Sequence, residues 1–270
     1  MKSLIILKIN RNYSTTKLLV CFLTDVKVRI QKLLSSSGIA SRRTIEKWIK
    51  RNRLIVDGKF AKIGQIVSGS EKFQLDGNPL TVKLYCTNHK YIIYNKPINE
   101  ISSRSDPDKR PSIFDNLPKI ENSRWISVGR LDISTSGLLL FVTDGSLANA
   151  LMHPSKQIIR RYAVRIHGNP KKSEINQLLN GIDLHDGVAT FESINIVGGR
   201  NTNEWFHVTV REGRNRIIRR MWKNIGYDVS RLIRIGYGPI ELPRTLSVGK
   251  YKELTEKQIE ALYFVTNINR

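Results

Sequence analysis

The spacing of apolar and polar positions splits the chain into a short helix–strand unit and a longer segment rich in strands. Residues 30–34 start a short helix, with Gly38 placed to stop it. Ser41 offers an N-cap for a second helix over residues 42–52, on which Ile45, Trp48 and Ile49 recur at i, i+3, i+4 and form an apolar face. Arg43, Lys47, Lys50 and Arg51 fall together on another face. Leu54-Ile55-Val56 reads as a strand that turns back at Asp57-Gly58. Ile63, Ile66, Phe73 and Leu75 mark further short strands. Asn78-Pro79 and Thr87-Asn88-His89 read as a linker.

Past the linker the pattern predicts strands at residues 91–94, 125–128, 138–142, 162–166, 194–197, 206–210 and 230–235. Helices are predicted at 147–152, 172–179 and 216–225, and Asp144-Gly145 reads as a turn. Strands outnumber helices and do not alternate strictly with them. That pattern predicts an α+β fold with a mixed or antiparallel sheet, not a doubly wound one. The domain reading is an N-terminal extension over 1–26, expected to be disordered, a small unit over 27–84 and a larger unit over 87–270.

Charge sharpens the picture. Lys and Arg total 45 against 23 Asp and Glu, a net charge of +22, which favours a polyanionic partner because neutralised phosphates release counterions. Between Lys27 and Arg53 there are nine Lys/Arg and one acid, Glu46. A solvated basic face is the bland alternative, but this density on a helix pair points to phosphate binding by Arg42, Arg43, Lys47, Lys50 and Arg51. An anionic membrane surface competes as a partner; no amphipathic terminal helix or long apolar run supports it, and no membrane contact is expected. The two cysteines, Cys21 and Cys86, form no CxxC, which fits a reducing compartment. The first 24 residues lack acids and carry Lys2, Lys8, Arg11 and Lys17. A cytoplasmic protein with a plain extension is the expectation; an organelle transit peptide is the alternative.

The most informative stretch is GRLDISTSGLLLFVTDG, from Gly129 to Gly145. It sets one carboxylate, Asp132, in a short polar loop between two apolar runs, directly after Leu131 and Arg130. Two rigid strands on either side suit a catalytic group, although a turn-forming aspartate fits the local pattern as well. A second string, Glu212 to Trp222, holds Arg214, Arg216, Arg219 and Arg220. No Gly-rich phosphate loop, Walker lysine or metal-ligand spacing is present, so no cofactor and no metal are expected. His89, His153, His167, His185 and His207 are scattered and read as structural or surface residues.

Taken together the strings resemble the pseudouridine synthases of the rRNA-modifying branch. The resemblance rests on Gly129-Arg130-Leu131-Asp132 followed by Thr135-Ser136-Gly137, on Asn95-Lys96-Pro97, on Arg161-Tyr162-Ala163-Val164, on residues 212–222 and on Ser230-Arg231-Leu232-Ile233-Arg234, and covers about residues 28–240. Residues 29–34, Gly38, Ser41-Arg42-Arg43 and 54–58 are similar to the alpha-L RNA-binding motif. The motif set is most similar to the large-subunit (23S) branch of type B; the small-subunit branch is the alternative.

Such enzymes cut uracil from its ribose at nitrogen 1, turn it, and rejoin it through carbon 5. The resemblance implies that Asp132 is the catalytic carboxylate, attacking covalently or acting as base in a glycal-like route. It implies that Arg219 supplies the positive charge that keeps Asp132 ionised in an enclosed site. Tyr162 stacks on the target base, Leu232 walls it, and Arg130 fills the gap left by the extracted nucleotide. Arg214 and Arg216 contact RNA. The implied substrate is a structured hairpin of ribosomal RNA acted on by a monomer. A noncatalytic RNA-binding protein of ribosome assembly, or an enzyme acting on tRNA, are the readings of another class.

Overall fold

In the computed structural model, residues 27–82, 89–104, 106–121, 123–200 and 202–269 are described. The expectations for residues 1–26, for both cysteines and for most of the second linker segment lie outside them.

The small unit begins with helices α1 (Ile30–Ser36) and α2 (Arg42–Lys50). Gly38 takes a positive φ just past α1, and the Ser41 side chain accepts from Thr44 N to cap α2. Ile30, Leu33, Leu34, Ile45 and Ile49 bury one helical face against Leu54, Val56 and Phe73 of a four-stranded sheet. With Ile45 and Ile49 inside, Arg42, Arg43, Lys47, Lys50 and Arg51 are left in solvent. Two expectations fail here. Ile63 sits in a turn and is exposed, and Asn78–Leu80, expected as linker, is the edge strand paired to Phe73–Leu75. Pro79 lies opposite Gln74 on that edge, where a missing N–H does not interrupt a central ladder.

The larger unit is built on a nine-stranded sheet. Its main order is Ser193–Arg200, Asn203–Val210, Arg160–His167, Val229–Tyr237, Ser136–Val142, Tyr91–Lys96 and Tyr251–Glu253. Short strands Ile126–Ser127 and Ile240–Glu241 pair at its side. Every pairing is antiparallel except Val229–Tyr237 with Ser136–Val142. The sheet is mixed, as an α+β reading requires.

The strand Ser136–Val142 explains why its sequence is an unbroken apolar run. Leu139 and Phe141 point into one core, with Tyr94, Trp222 and Met221; Leu138, Leu140 and Val142 point into another, with Leu147, Leu151 and Leu262. Both faces are covered, so the alternation of an edge-of-core strand disappears. Each of these buried side chains contributes roughly 1.5–3 kcal/mol of apolar burial.

Helices α3 (Gly145–Met152) and α6 (Glu256–Thr266) cover one face, and α5 (Ile217–Asn224) covers the other. The helix α4 (Lys172–Asn180) packs through Leu178 near the far edge. Asp144-Gly145, expected as a turn, is the start of α3. The Asp144 carboxylate accepts from Ser146 N and Leu147 N and from the Tyr263 hydroxyl at 2.6 Å, which ties α3 to α6. Helix α6 is absent from the expected elements, although Thr255 and Gln258 form a capping box ahead of it and Ile259, Leu262, Tyr263 and Thr266 recur at helical spacing. Among the described residues no helix is long and apolar enough to cross a membrane.

Gly137 makes the one parallel contact close. It pairs with Arg234 at φ +101°, and a Cβ there would lie 2.3 Å from the Arg234 carbonyl oxygen. Only glycine fits. Gly137→Ala is expected to cost about 3 kcal/mol in denaturant unfolding, as an overpacked site at a strained φ. A loss below about 0.5 kcal/mol, the scale of an ordinary surface change, would show that the two strands are free to part.

Candidate active site

The loop between strands Ile126–Ser127 and Ser136–Val142 carries Asp132. Five consecutive carbonyls of that loop each accept a hydrogen bond from a different part of the chain or from one buried amine. Ser102 Oγ donates to Leu131 O at 2.7 Å, and the same hydroxyl accepts from Leu131 N at 3.1 Å. Lys96 Nζ donates to Asp132 O at 3.2 Å and to Thr135 O at 2.9 Å. Asn99 N donates to Ile133 O at 2.8 Å. Arg219 Nη2 donates to Ser134 O at 3.1 Å. A turn bond from Thr135 N to Asp132 O, 3.0 Å, closes the loop on itself. The backbone is therefore fixed from several sides, while the Asp132 carboxylate makes no hydrogen bond or ion pair to any described residue.

That carboxylate, half-buried, lines a cavity of about 950 Å³. Arg130, Leu131, Thr135, Tyr162, Leu232, Arg214 and Arg216 line the same hollow, which brings most of the residues named from the sequence around one space. Tyr162 and Leu232 are buried and supply apolar surface. They come from adjacent strands, Tyr162 facing Arg234 across the ladder and Val164 facing Leu232. Arg130 and Arg216 are exposed at the rim. Arg216 takes a left-handed φ of 48° as the residue ahead of α5, which turns the chain from the 211–215 loop into the helix.

The remaining cations named from the sequence take three different positions. Arg219 lies behind the loop and meets it through its backbone: besides Ser134 O, Nη1 donates to Val229 O at 2.7 Å, and among the described residues no ion pair joins it to Asp132. Burial and the neighbouring Arg216 push the Arg219 guanidinium's pKa down, and the Asp132 charge opposes that. Arg214 lines the cavity with its guanidinium held by acids and carbonyls. Nε and Nη2 donate to the Glu212 carboxylate, Nη1 to the backbone and carboxylate of Asp186 and to Gly187 O, and Nη2 to Val188 O. Its N–H donors are shared between the Glu212 carboxylate and the turn of the hairpin formed by Ile182–Leu184 and Gly187–Ala189, which ties that hairpin to the 212–214 loop. Asp186 also accepts from Arg220 at 2.8 and 2.9 Å, completing that clamp. Finally, Arg42, Arg43, Lys47, Lys50 and Arg51 are on the small unit and do not line the cavity.

Lys96 stands in the string Asn95-Lys96-Pro97, which by itself assigns it no role. Its side chain is fully buried, and its three acceptors are all carbonyls: Asp132 O, Thr135 O and Pro97 O, the last at 2.9 Å. An ammonium has three hydrogens, so the count matches only while the lysine is protonated. Burial drives its pKa down to about 8, with the charges of Glu100 and Asp132 working the other way. A lysine directly before proline at the end of a buried strand is the signal that could have found it.

The comparisons agree with the architecture. Residues 90–224 match the family described as RNA pseudouridylate synthase, and residues 28–72 match the S4 domain. The chain is 49% identical over 232 residues to ribosomal large subunit pseudouridine synthase B of Yersinia pestis, covering 85% of this chain and 73% of that protein. It is 46% identical over 237 residues to the protein of the same name from Escherichia coli strain K12, covering 87% and 81%. A crystal structure of a pseudouridylate synthase superposes with a TM-score of 0.61 at 24% identity, covering 87% of this chain and 99% of that one, a likeness of fold. With strings, sheet and cavity in agreement with these matches, the chain belongs to the RNA pseudouridylate synthase family and carries an S4 domain ahead of its catalytic domain.

Proposed function

We propose that the protein converts a uridine of large-subunit ribosomal RNA to pseudouridine, with Asp132 as the reacting carboxylate. The observation that carries this is the contrast within one residue: the Asp132 carbonyl accepts from Lys96 and from Thr135 N, while the residue lines the cavity with a carboxylate that has no hydrogen-bond or ion-pair partner among the described residues. Fixing the group before substrate arrives removes much of the entropy cost of reaching the reacting geometry. The large-subunit reading follows from the names of relatives that are 46–49% identical over most of the chain.

The chemistry needs the target base to leave the stack, because the ring cannot turn while paired. Tyr162 and Leu232 offer a face and a wall for the flipped uracil, and the rim cations Arg130 and Arg216 suit the phosphates on either side. Asp132 then adds to C1′, or takes a proton from C2′, as the C1′–N1 bond breaks. The exposed basic face of α2 holds RNA at a distance from the cavity and positions it without reading sequence.

Incubating unmodified large-subunit rRNA with the wild type is expected to yield pseudouridine at a defined position. Asp132→Asn should lower the single-turnover rate by about 10²–10⁴-fold or more while RNA affinity holds. Pseudouridine formed equally by both proteins would remove Asp132 from the reaction.

Replacing Arg43, Lys47, Lys50 and Arg51 together by Gln should weaken RNA binding and flatten its dependence on salt, by about 0.7–0.9 in the log–log slope for each phosphate that is no longer neutralised. An unchanged slope would take this face out of RNA capture.

Lys96 makes the site sensitive to alkali. Its folded pKa lies below that of an unfolded lysine, so the fold disfavours the ammonium below about pH 8 and this residue's contribution to stability improves as pH rises from about 8 to 10.5. Activity should move the opposite way, falling as pH passes about 8, because a neutral amine has two hydrogens for three carbonyls. Lys96→Met should lose rate and also lose that alkaline limb. A limb near pH 8 that persists in Lys96→Met would assign it to another group.

A further inference from the structure

Arg234 lies at the cavity wall in an unusual electrostatic state. It is 2% exposed, yet it lines the hollow that holds Asp132. Nε donates to Leu138 O at 2.7 Å. Nη2 is buried and has no hydrogen-bond partner, and among the described residues no carboxylate lies within ion-pair distance of the guanidinium. Its guanidinium stands 5.1 Å from the centroid of the Tyr237 ring, and that ring is shared with a second cation, Arg160, at 5.3 Å. A buried charge with neither counterion nor full hydrogen bonding opposes folding, and groups kept in that state cluster at functional sites.

The position says which part of a nucleotide would meet it. Arg234 faces Tyr162 directly across the antiparallel ladder and Gly137 across the parallel one, two residues beyond Leu232 on the same face of its strand. It therefore belongs to the deep wall, with the two side chains assigned to the base, and not to the rim where Arg130 and Arg216 stand in solvent. The group that enters deepest is the flipped uracil. Uracil is neutral when it arrives and anionic once detached. As the C1′–N1 bond breaks, its electron pair stays with the base and spreads over N1, O2 and O4. The sugar carbon is taken by an Asp132 oxygen, or the sugar gives a C2′ proton to it. Carbon 5 then bonds to C1′ as the Asp132–C1′ ester bond breaks, or as Asp132 returns its proton to C2′; the C5 proton leaves and N1 gains a proton, so the product is an isomer of the substrate and the Asp132 carboxylate is regenerated.

We infer that Arg234 is the counter-charge for the uracil anion released in the middle of this reaction, a role that rests on the pseudouridine-synthase reading of the cavity. A cation without a counterion among the described residues, next to the place where negative charge develops, stabilises the detached base more than the bound nucleotide. The missing counterion is thus supplied by the reaction itself.

The test is single-turnover kinetics of the full chain on a target RNA, with the wild-type rate establishing the reaction and the variants measured against it. Arg234→Gln should lower the rate of the chemical step by about 10²–10³-fold, with RNA affinity changed less than about threefold. Arg234→Lys, which keeps the charge, should recover part of the loss. With 5-fluorouridine at the target position, whose base anion is more stable, loss of the N1-linked nucleoside should show a deficit for Arg234→Gln at least ~10-fold smaller than uridine shows. The inference is overturned if the deficit is the same on both substrates, or if the loss lies in RNA affinity and its salt dependence, which would mark a phosphate contact. It is also overturned if Arg234→Gln and Arg234→Lys are equally impaired, which would mark a packing role. A normal melting temperature for Arg234→Gln accompanies the first set of results, since removing an unpaired buried charge relieves the fold.

Discussion

The run of carbonyls from Leu131 to Thr135 is the constraint on which the site depends. Each oxygen is held by a group from elsewhere: a serine hydroxyl, a buried ammonium used twice, a backbone amide and an arginine. Loops ordinarily leave such oxygens to water and move accordingly. Here the donors come from residues 96–102 and from α5, so the two strands beside the loop and the helix behind it must all be in place before Asp132 is. That dependence explains the buried Lys96. A fully enclosed amine is costly, and its protonation is disfavoured, but no shorter or neutral side chain could satisfy three carbonyls from one point. The mixed sheet serves the same end: the close parallel pairing at Gly137 and Arg234 sets the far end of the loop directly beside the strand that carries Leu232.

The charge layout follows a gradient from outside to inside. Exposed basic residues of α2 stand apart from the cavity lining, Arg130 and Arg216 stand at its rim, and Arg234 is sunk in its wall. Arginines that look equivalent in sequence do different work. Arg214 and Arg220 are neutralised by Glu212 and Asp186 and hold a hairpin, whereas Arg219 holds the loop backbone. A polyanion therefore meets solvated cations first and enclosed ones last.

Much of this is legible in the sequence because it is local. The Ser41 cap, the Ile45–Ile49 face, the Asp57-Gly58 turn and the strand of leucines after Thr135-Ser136-Gly137 are patterns of neighbours. Asp132 can be singled out because it stands alone between two apolar runs. What is not legible depends on distant partners. Arg214 reads as a free cation until Asp186, 28 residues earlier in the chain, is seen to accept from it. Lys96 reads as the residue that ends a strand and Arg234 as a polar position within one; the first turns out to serve three carbonyls and the second to leave a buried nitrogen without a hydrogen-bond partner, and neither fact has a period or a motif. Asp144 reads as a turn because its partner Tyr263 lies 119 residues on.

The most direct measurement is a crystal structure of the inactive Asp132→Asn protein bound to a hairpin of its target RNA. A preorganised loop predicts a uridine turned out of its helix with its C1′ about 3–3.5 Å from the residue-132 side chain, and loop carbonyls within about 1 Å of their positions in the free protein. A loop rebuilt around the RNA with its five bonds exchanged, or a target uridine still stacked and paired, would contradict it.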